Sequence, residues 1–293
     1  MIEKIKINIK YINNLGKKYT ATIFSSLGAI AIFFSINEYT NNILYKIATI
    51  VLIILAMYIL AIVTSLFKNK REIFSKNGKK VIVKFGDIFS EEYKSKNVVI
   101  AIPVNRCFDT IVNDKLISSN TLHGKVINKI KDSSELEYKN INQKIQSKLE
   151  NLKIKYEQLK KEEKKQGNLK RYPAGTIIEY NTIERNFYFI VLSKFDRNLH
   201  DQYTEQEHIL TIQKLIEYHS IYGNGKDLII PIIGGGNTGT NKKEKTILDM
   251  MVELIKFNSN KINSNINIII RNSAKNEVSI WDLWGRICIK DLI

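Results

Sequence analysis

Cysteine is scarce in this chain. Of its 293 residues only two, Cys107 and Cys288, are cysteine, and neither has partners at metal-ligand spacing around it. A disulfide framework and a zinc site are both excluded, which fits a reducing compartment. Proline is nearly as rare, at three residues. Charge is absent from two long stretches near the N-terminus, with no ionisable residue in the middle of either. That excludes a selectivity ring or proton relay built there. The phosphate-binding lysine of a P-loop is missing as well. "GGGNTGTNKK" does not fit G-x-x-x-x-G-K-[ST], and no GxGxxG opens a first βα unit. Neither a kinase-like NTPase nor a dinucleotide dehydrogenase is expected. No carboxylate or cysteine is placed to make His200, His208 or His219 a triad member, and these read as surface or helix residues.

What is present divides sharply along the chain. The strongly apolar sequence lies before residue 68, and nearly all the charge lies outside it. The length suits one ordinary domain plus an accessory region. Residues 47–67 read "IATIVLIILAMYILAIVTSLF"; at about 1.5 Å per residue such a helix spans roughly the 30 Å of a hydrocarbon core. The run is too long for a cleavable signal peptide and no small-residue cleavage site follows it. Residues 19–37 are also uncharged but more mixed, and the polar link "NEYTNN" leads from them into the second span. The expectation is a transmembrane helical hairpin over 19–67, with spans 19–37 and 43–67, after an N-terminal segment 1–18. Lys10, Lys17, Lys18, Lys68, Lys70 and Arg71 flank the outer ends, whereas the link carries only Glu38. By the positive-inside bias both termini are cytoplasmic. Ala21, Ser25 and Ala29 form a small-residue stripe that serves packing within the hairpin or contact between protomers.

A basic linker, 68–78, is expected next, and then a domain over 79–293. "KKVIVKFGDIF", "NVVIAIPVN", "TIIEY", "NFYFIVLSKF", "KDLIIPII" and "INIIIRN" read as strands; "TEQEHILTIQKLIEYHSIYG" and "KKEKTILDMMVELIKFNS" read as helices. Thr204 and Glu207 form a capping box at the start of the first of these helices. Strands alternating with helices predict an α/β fold, three-layer, with a mixed, largely parallel sheet. Ligands bind such sheets beyond the carboxyl ends of the strands, and there the unusual residues collect. Gly86, Asp87 and Ile88 follow one strand. Asn105, Phe108 and Asp109 follow the next. Gly234, Gly235, Gly236, Asn237, Thr238 and Gly239 follow a third. Glycines expose consecutive backbone N–H groups, and the helix that follows adds its positive dipole end, which suits a phosphate. The other reading of "GGGNTG" is a plain strand-to-helix turn.

These loops resemble the macro domains, which bind ADP-ribose. The "GDI" of their first strand is here Gly86, Asp87 and Ile88. Their "IVN" is "IPVN" with Asn105, and their loop into a helix is "SSNTLHGKVI" with His123 and Gly124. Their pyrophosphate loop is here "PIIGGGNTG". The resemblance covers about residues 79–293 and implies that Asp87 meets the adenine amino group. Hydrolytic members carry a second asparagine where this chain has Phe108, and their first phosphate loop is richer in glycine. Both departures imply a reader of ADP-ribose derivatives rather than an eraser. The resemblance leaves Asp109 to a ribose hydroxyl, to the charged amine of a conjugate or to an N-cap. It leaves His123 to the pyrophosphate, to a conjugate group, or to a cap or surface position.

The hairpin followed by "PVNRCFDT" and "LHGK" is similar to the membrane-anchored macro-domain effectors of type II Thoeris anti-phage systems. That likeness implies a non-catalytic sensor in the bacterial inner membrane, without cofactor or metal. A TIR-domain partner consumes NAD and supplies an ADP-ribose conjugate, histidine-ADP-ribose in this class. The effector binds it, assembles with itself and disrupts the lipid bilayer, and infection aborts. A membrane-anchored ADP-ribosyl hydrolase is the alternative. Nucleic acid is a third candidate partner, motivated by the formal charge of +16, but the basic runs carry few aromatic residues on which bases would stack.

An insertion is expected at about 134–167. Tyr138, Ile141, Ile145, Leu149, Leu152, Tyr156 and Leu159 recur at threes and fours, predicting one long helix with a single apolar stripe. The stripe packs on the domain's own flank or forms a seam between protomers, and the lysines near its end suit anionic headgroups.

Overall fold

The apolar run before residue 68 and most of the alternating pattern after it fall in two different compact units. The computed structural model describes residues 1–25, 28, 43–195, 201–234 and 243–283. Two units divide the chain, one of Met1–Arg71 with Ser273–Ile293 and the other of Glu72–Asn272.

In the first unit, helices α1 (Ile2–Ile7), α2 (Ile9–Ser25) and α3 (Ile43–Phe67) follow in order. Helix α3 is long and apolar enough to cross a membrane, and it exposes Leu52, Leu55, Ile59 and Leu60. Gly16 of α2 lies against the Tyr58 ring of α3, and the Lys4 ammonium donates to the Leu66 carbonyl. The expected first span enters α2 at residues 19–25; apart from residue 28, the rest of it lies outside the described residues. Residues 273–283 also belong to this unit. Ser279 Oγ donates to Asn8 Oδ1, Trp281 stacks on Tyr11 with ring centroids 4.2 Å apart, and Arg71 Nη1 donates to the Ile280 carbonyl at 3.0 Å.

The second unit is built on a sheet. Its strands are β1 (Lys70–Lys76), β2 (Lys79–Gly86), β3 (Val98–Asn105), β6 (Ile177–Asn181), β7 (Asn186–Phe195), β8 (Asp201–Gln202), β9 (Asp227–Pro231) and β10 (Ile266–Arg271). They lie in the order β1-β2-β10-β9-β3-β7-β6, with β8 beside β7. Strands β2, β10, β9, β3 and β7 are parallel to one another, while β6 and β8 run antiparallel to β7. Helices α4 (Leu122–Ser133) and α5 (Glu135–Asn151) cover one face. There Val126, Ile127, Ile141, Ile145 and Leu149 join Ile100, Ile102 and Phe189 in one buried cluster. Helices α6 (Glu205–Tyr222) and α7 (Glu244–Phe257) bury a separate set, including Ile212, Leu215, Leu248 and Met251. The result is the three-layer, largely parallel architecture that the alternation of strands and helices predicts.

Two expectations need correction. The stretch 68–78 is not a linker but the start of the sheet. Strand β1 turns into β2 through Asn77 and Gly78, both at positive φ, 51° and 75°. Asn-Gly is a dipeptide that a two-residue hairpin turn strongly favours, and Ile73 is the buried residue of a strand in which four of seven residues are charged.

The long helix, likewise, stops at Asn151. Lys153 then takes a φ of 50°, and the chain enters a small hairpin of β4 (Glu157–Gln158) and β5 (Lys170–Arg171). Leu152 and Tyr156, expected on the buried stripe, are exposed at 59% and 48%. After residue 151 Ile154 and Tyr156 alternate with Lys153, Lys155 and Glu157; that period of two competes with the helical one and wins. Within α5 the stripe follows the first of its two readings, packing on the domain's own flank.

Candidate functional site

Because β2, β3, β9 and β10 are parallel, their carboxyl ends share one edge of the sheet, and the loops leaving them carry the expected site residues. At the end of β2, Asp87 Oδ1 accepts the Phe89 N–H at 2.9 Å. The residue is exposed, while Ile88 and Phe89 behind it are buried. Such an Asx turn fixes the carboxylate with one oxygen and leaves the second facing outward. A Cβ on Gly86 would meet only ordinary van der Waals contact, 3.8 Å from Ile269.

At the end of β3, Asn105 is 4% exposed. Its Oδ1 accepts from the N–H groups of Cys107 at 3.0 Å and Asp109 at 3.3 Å. Its Nδ2 is buried, and the side chain lies close enough to Asp109 to favour that carboxylate's charged form. Cys107 is buried, and desolvation pushes its thiol up to about 11. Phe108 takes a left-handed φ of 48° and packs edge-on against Tyr172, with centroids 5.7 Å apart.

Asp109 faces away from the strand ends and into the protein. Lys164 Nζ donates to its two oxygens at 2.9 and 2.7 Å, and the Asn168 N–H adds a third bond at 2.6 Å. Burial pushes this carboxyl upward, while Lys164 and the hydrogen bonds work the other way. The carboxylate is already fully engaged, so it neither caps a helix nor offers itself to a ribose or an amine. The cap of α4 is Thr121, whose Oγ1 accepts the Gly124 N–H at 3.0 Å. His123 is buried in the first turn of α4. Desolvation, opposed by a hydrogen bond to the Asp109 backbone, brings its imidazole down to about 4.

At the end of β9, Gly234 has a φ of +83°, and a Cβ there would stand 2.6 Å from Tyr203 Oη. The Tyr203 hydroxyl donates to the Gly234 carbonyl at 3.0 Å, and the His208 Nε2–H to the Ile233 carbonyl at 2.7 Å. Gly235, Gly236, Asn237, Thr238 and Gly239 lie outside the described residues. Of the positions read as surface or helix, His208 and His219 are helix residues of α6, and both are buried, each 3% exposed. His219 Nε2 lies 2.8 Å from Ser264 Oγ, and burial lowers its imidazole to about 4. His200 is outside the described residues.

The structure adds partners that spacing alone did not offer. Arg106 Nη2 meets Glu207 at 2.6 Å, tying the loop after β3 to the capping box of α6, where Thr204 and Glu207 cap each other. The only sequence signal for this was Glu207 itself, already assigned to the cap. A shallow cleft of about 230 Å³ opens beside Arg106, lined by Tyr156, Arg171 and Tyr172. Among the described residues no three His, Cys, Asp or Glu side chains gather to hold a metal ion.

A largely parallel α/β layer, with an exposed aspartate after the first parallel strand and a buried asparagine after the next on its carboxyl edge, is the architecture of a macro domain. A family model described as Thoeris protein ThsA, macro domain, matches residues 81–271, and the chain belongs to that family. It is 29% identical over 184 residues to Thoeris protein ThsA of Bacillus amyloliquefaciens (strain Y2). That match covers 63% of this chain and 58% of the relative's own length. Among solved structures, it is similar to a point mutant of the Oceanobacillus iheyensis macrodomain with ADPR, at 12% identity and a TM-score of 0.46, over 76% of this chain and 98% of that one. Thermosipho africanus DarTG in complex with ADP-ribose is similar at 12% identity and a TM-score of 0.42, over 72% of this chain and 46% of that one.

Proposed function

We propose that this chain is a membrane-anchored anti-phage effector whose macro domain binds an ADP-ribose-derived signal without turning it over. The observation that carries the reading is Asn105, a buried amide that two backbone N–H groups fix at the end of β3, on the same sheet edge as the exposed carboxylate of Asp87. A ribose hydroxyl and an adenine amino group are complementary to these two groups. The signal is histidine-ADP-ribose supplied by a TIR-domain partner, and its binding drives self-association and disruption of the bilayer in which α3 sits. A ligand moves such an equilibrium only as far as it binds the assembled form more tightly.

Two observations support a reader over a hydrolase. Asp109 is consumed by Lys164, and His123 is buried and engaged with the backbone. Neither is placed to activate water.

The test is calorimetric titration of the full chain in detergent micelles with ADP-ribose and with histidine-ADP-ribose, with assembly followed by light scattering. The expected outcome is saturable binding, tighter for the conjugate, an increase in particle mass, and loss of both on Asp87→Ala. Binding with unchanged mass would overturn the assembly step. Turnover of the conjugate would overturn the non-catalytic reading.

A further inference from the structure

We propose that Asn168 and Lys164, which lie beyond α5 in the inserted segment, are positioning residues that set the Asn105 amide for its ligand. The proposal rests on the reading that Asn105 contacts the ligand. Its argument begins with backbone strain. The turn 105–109 holds Phe108 at a φ of 48°, a left-handed conformation that costs a non-glycine residue about 1–2 kcal/mol. Yet this turn is what brings the N–H groups of Cys107 and Asp109 onto Asn105 Oδ1 and so fixes where Nδ2 points. A strained turn persists only where its surroundings over-determine it.

Here the surroundings are the insertion. The Asn168 side-chain amide is shared by the carbonyls of Cys107 and Phe108, each at 3.1 Å, and by Asn142 Oδ1 of α5 at 2.9 Å. Its backbone N–H and the Lys164 ammonium hold the Asp109 carboxylate at the far end of the turn. Lys164 spends its remaining donor on the Asn168 carbonyl at 2.7 Å, so the two residues also hold each other. Close packing depends on the glycine between them. Gly167 has a φ of +86°, and a Cβ there would stand 2.2 Å from Asp109 Oδ1. The carbonyls of Cys107 and Phe108 and the carboxylate of Asp109 are thus all gripped from this segment, and none of the gripping groups is one that the sequence motifs point to.

A double-mutant cycle on the full chain in detergent micelles, with ADP-ribose as the titrant, tests this. Asn105→Ala and Asn168→Ala each weaken binding about tenfold or more, and in the double variant the second change adds less than about twofold, because Asn168 acts through Asn105. Asn142→Ala is a milder perturbation at a helical position that favours alanine. It weakens binding roughly two- to tenfold, the worth of one hydrogen bond, with a thermal midpoint close to that of the unaltered chain. If Asn105→Ala keeps wild-type affinity, or if the unaltered chain binds no ADP-ribose, the reading of Asn105 as a ligand group falls and this proposal falls with it. If Asn105→Ala loses affinity while Asn168→Ala and Asn142→Ala keep it, the positioning role alone is overturned. Fully additive losses in the double variant overturn it too.

Discussion

Among single side chains, His123 and His219 are the groups whose burial reaches into the pH range where cells and buffers operate. Both are brought from 6.5 to about 4 by desolvation. Below pH 6.5 the unfolded chain takes up protons that the folded chain refuses until about pH 4. Their contribution is therefore complete above the unfolded value and is lost as pH falls through that window. The loss amounts to up to about 3 kcal/mol for each histidine. Thermal unfolding followed by circular dichroism is expected to give a flat midpoint from pH 7 to 8 and a falling one from pH 6.5 to 4.5, with a shallower fall for His219→Gln. These histidines also mark the limit of what could be read from residue types. Asp87, Asn105 and Gly234 stood at strand ends in a recognisable order, because the backbone there needs those residues locally. Burial of His208 and His219 depends on which face of α6 meets the sheet, and the charged residues of that helix conceal it. The Asp109–Lys164 pair joins positions 55 residues apart, and no periodicity links them.

At the level of elements, α5 shows why an apolar stripe does not fix a helix's end. Ile141, Ile145 and Leu149 are buried at 2% exposure or less, while the same spacing continues through Leu152 and Tyr156, which the structure leaves outside. Periodicity reports which residues share a face if the helix continues; it carries no information on whether it does. The stop is set by Lys153 turning left-handed and by the β4–β5 hairpin, whose partners come from the far side of the insertion. The Asn77–Gly78 turn, in contrast, was fully legible as a hairpin signal and lay hidden only beneath the basic composition around it. Ile145→Ala should cost about 2–5 kcal/mol through the cavity it opens beneath α5, measured as a lower urea midpoint with an unchanged slope. Leu152→Ala, three residues beyond Leu149 but 59% exposed, should shift the midpoint by less than about 0.5 kcal/mol.

For the protein as a whole, the proposed anchor makes a direct demand on α3. Leu55→Arg places a cation in the middle of Ile43–Phe67, at a cost of about 2.5–3.5 kcal/mol for insertion. Carbonate extraction of membranes is expected to release this variant and to retain the unaltered chain; retention of both would mean that α3 is not what holds the protein there. The contacts at the two ends of the chain add a constraint of a different kind. Asn8 accepts a hydrogen bond from Ser279, and Arg71 holds the carbonyl of Ile280. Residues 8 and 71, on either side of α2 and α3 in the chain, are thus tied to one short C-terminal segment, and these two bonds close both helices into a single loop of chain.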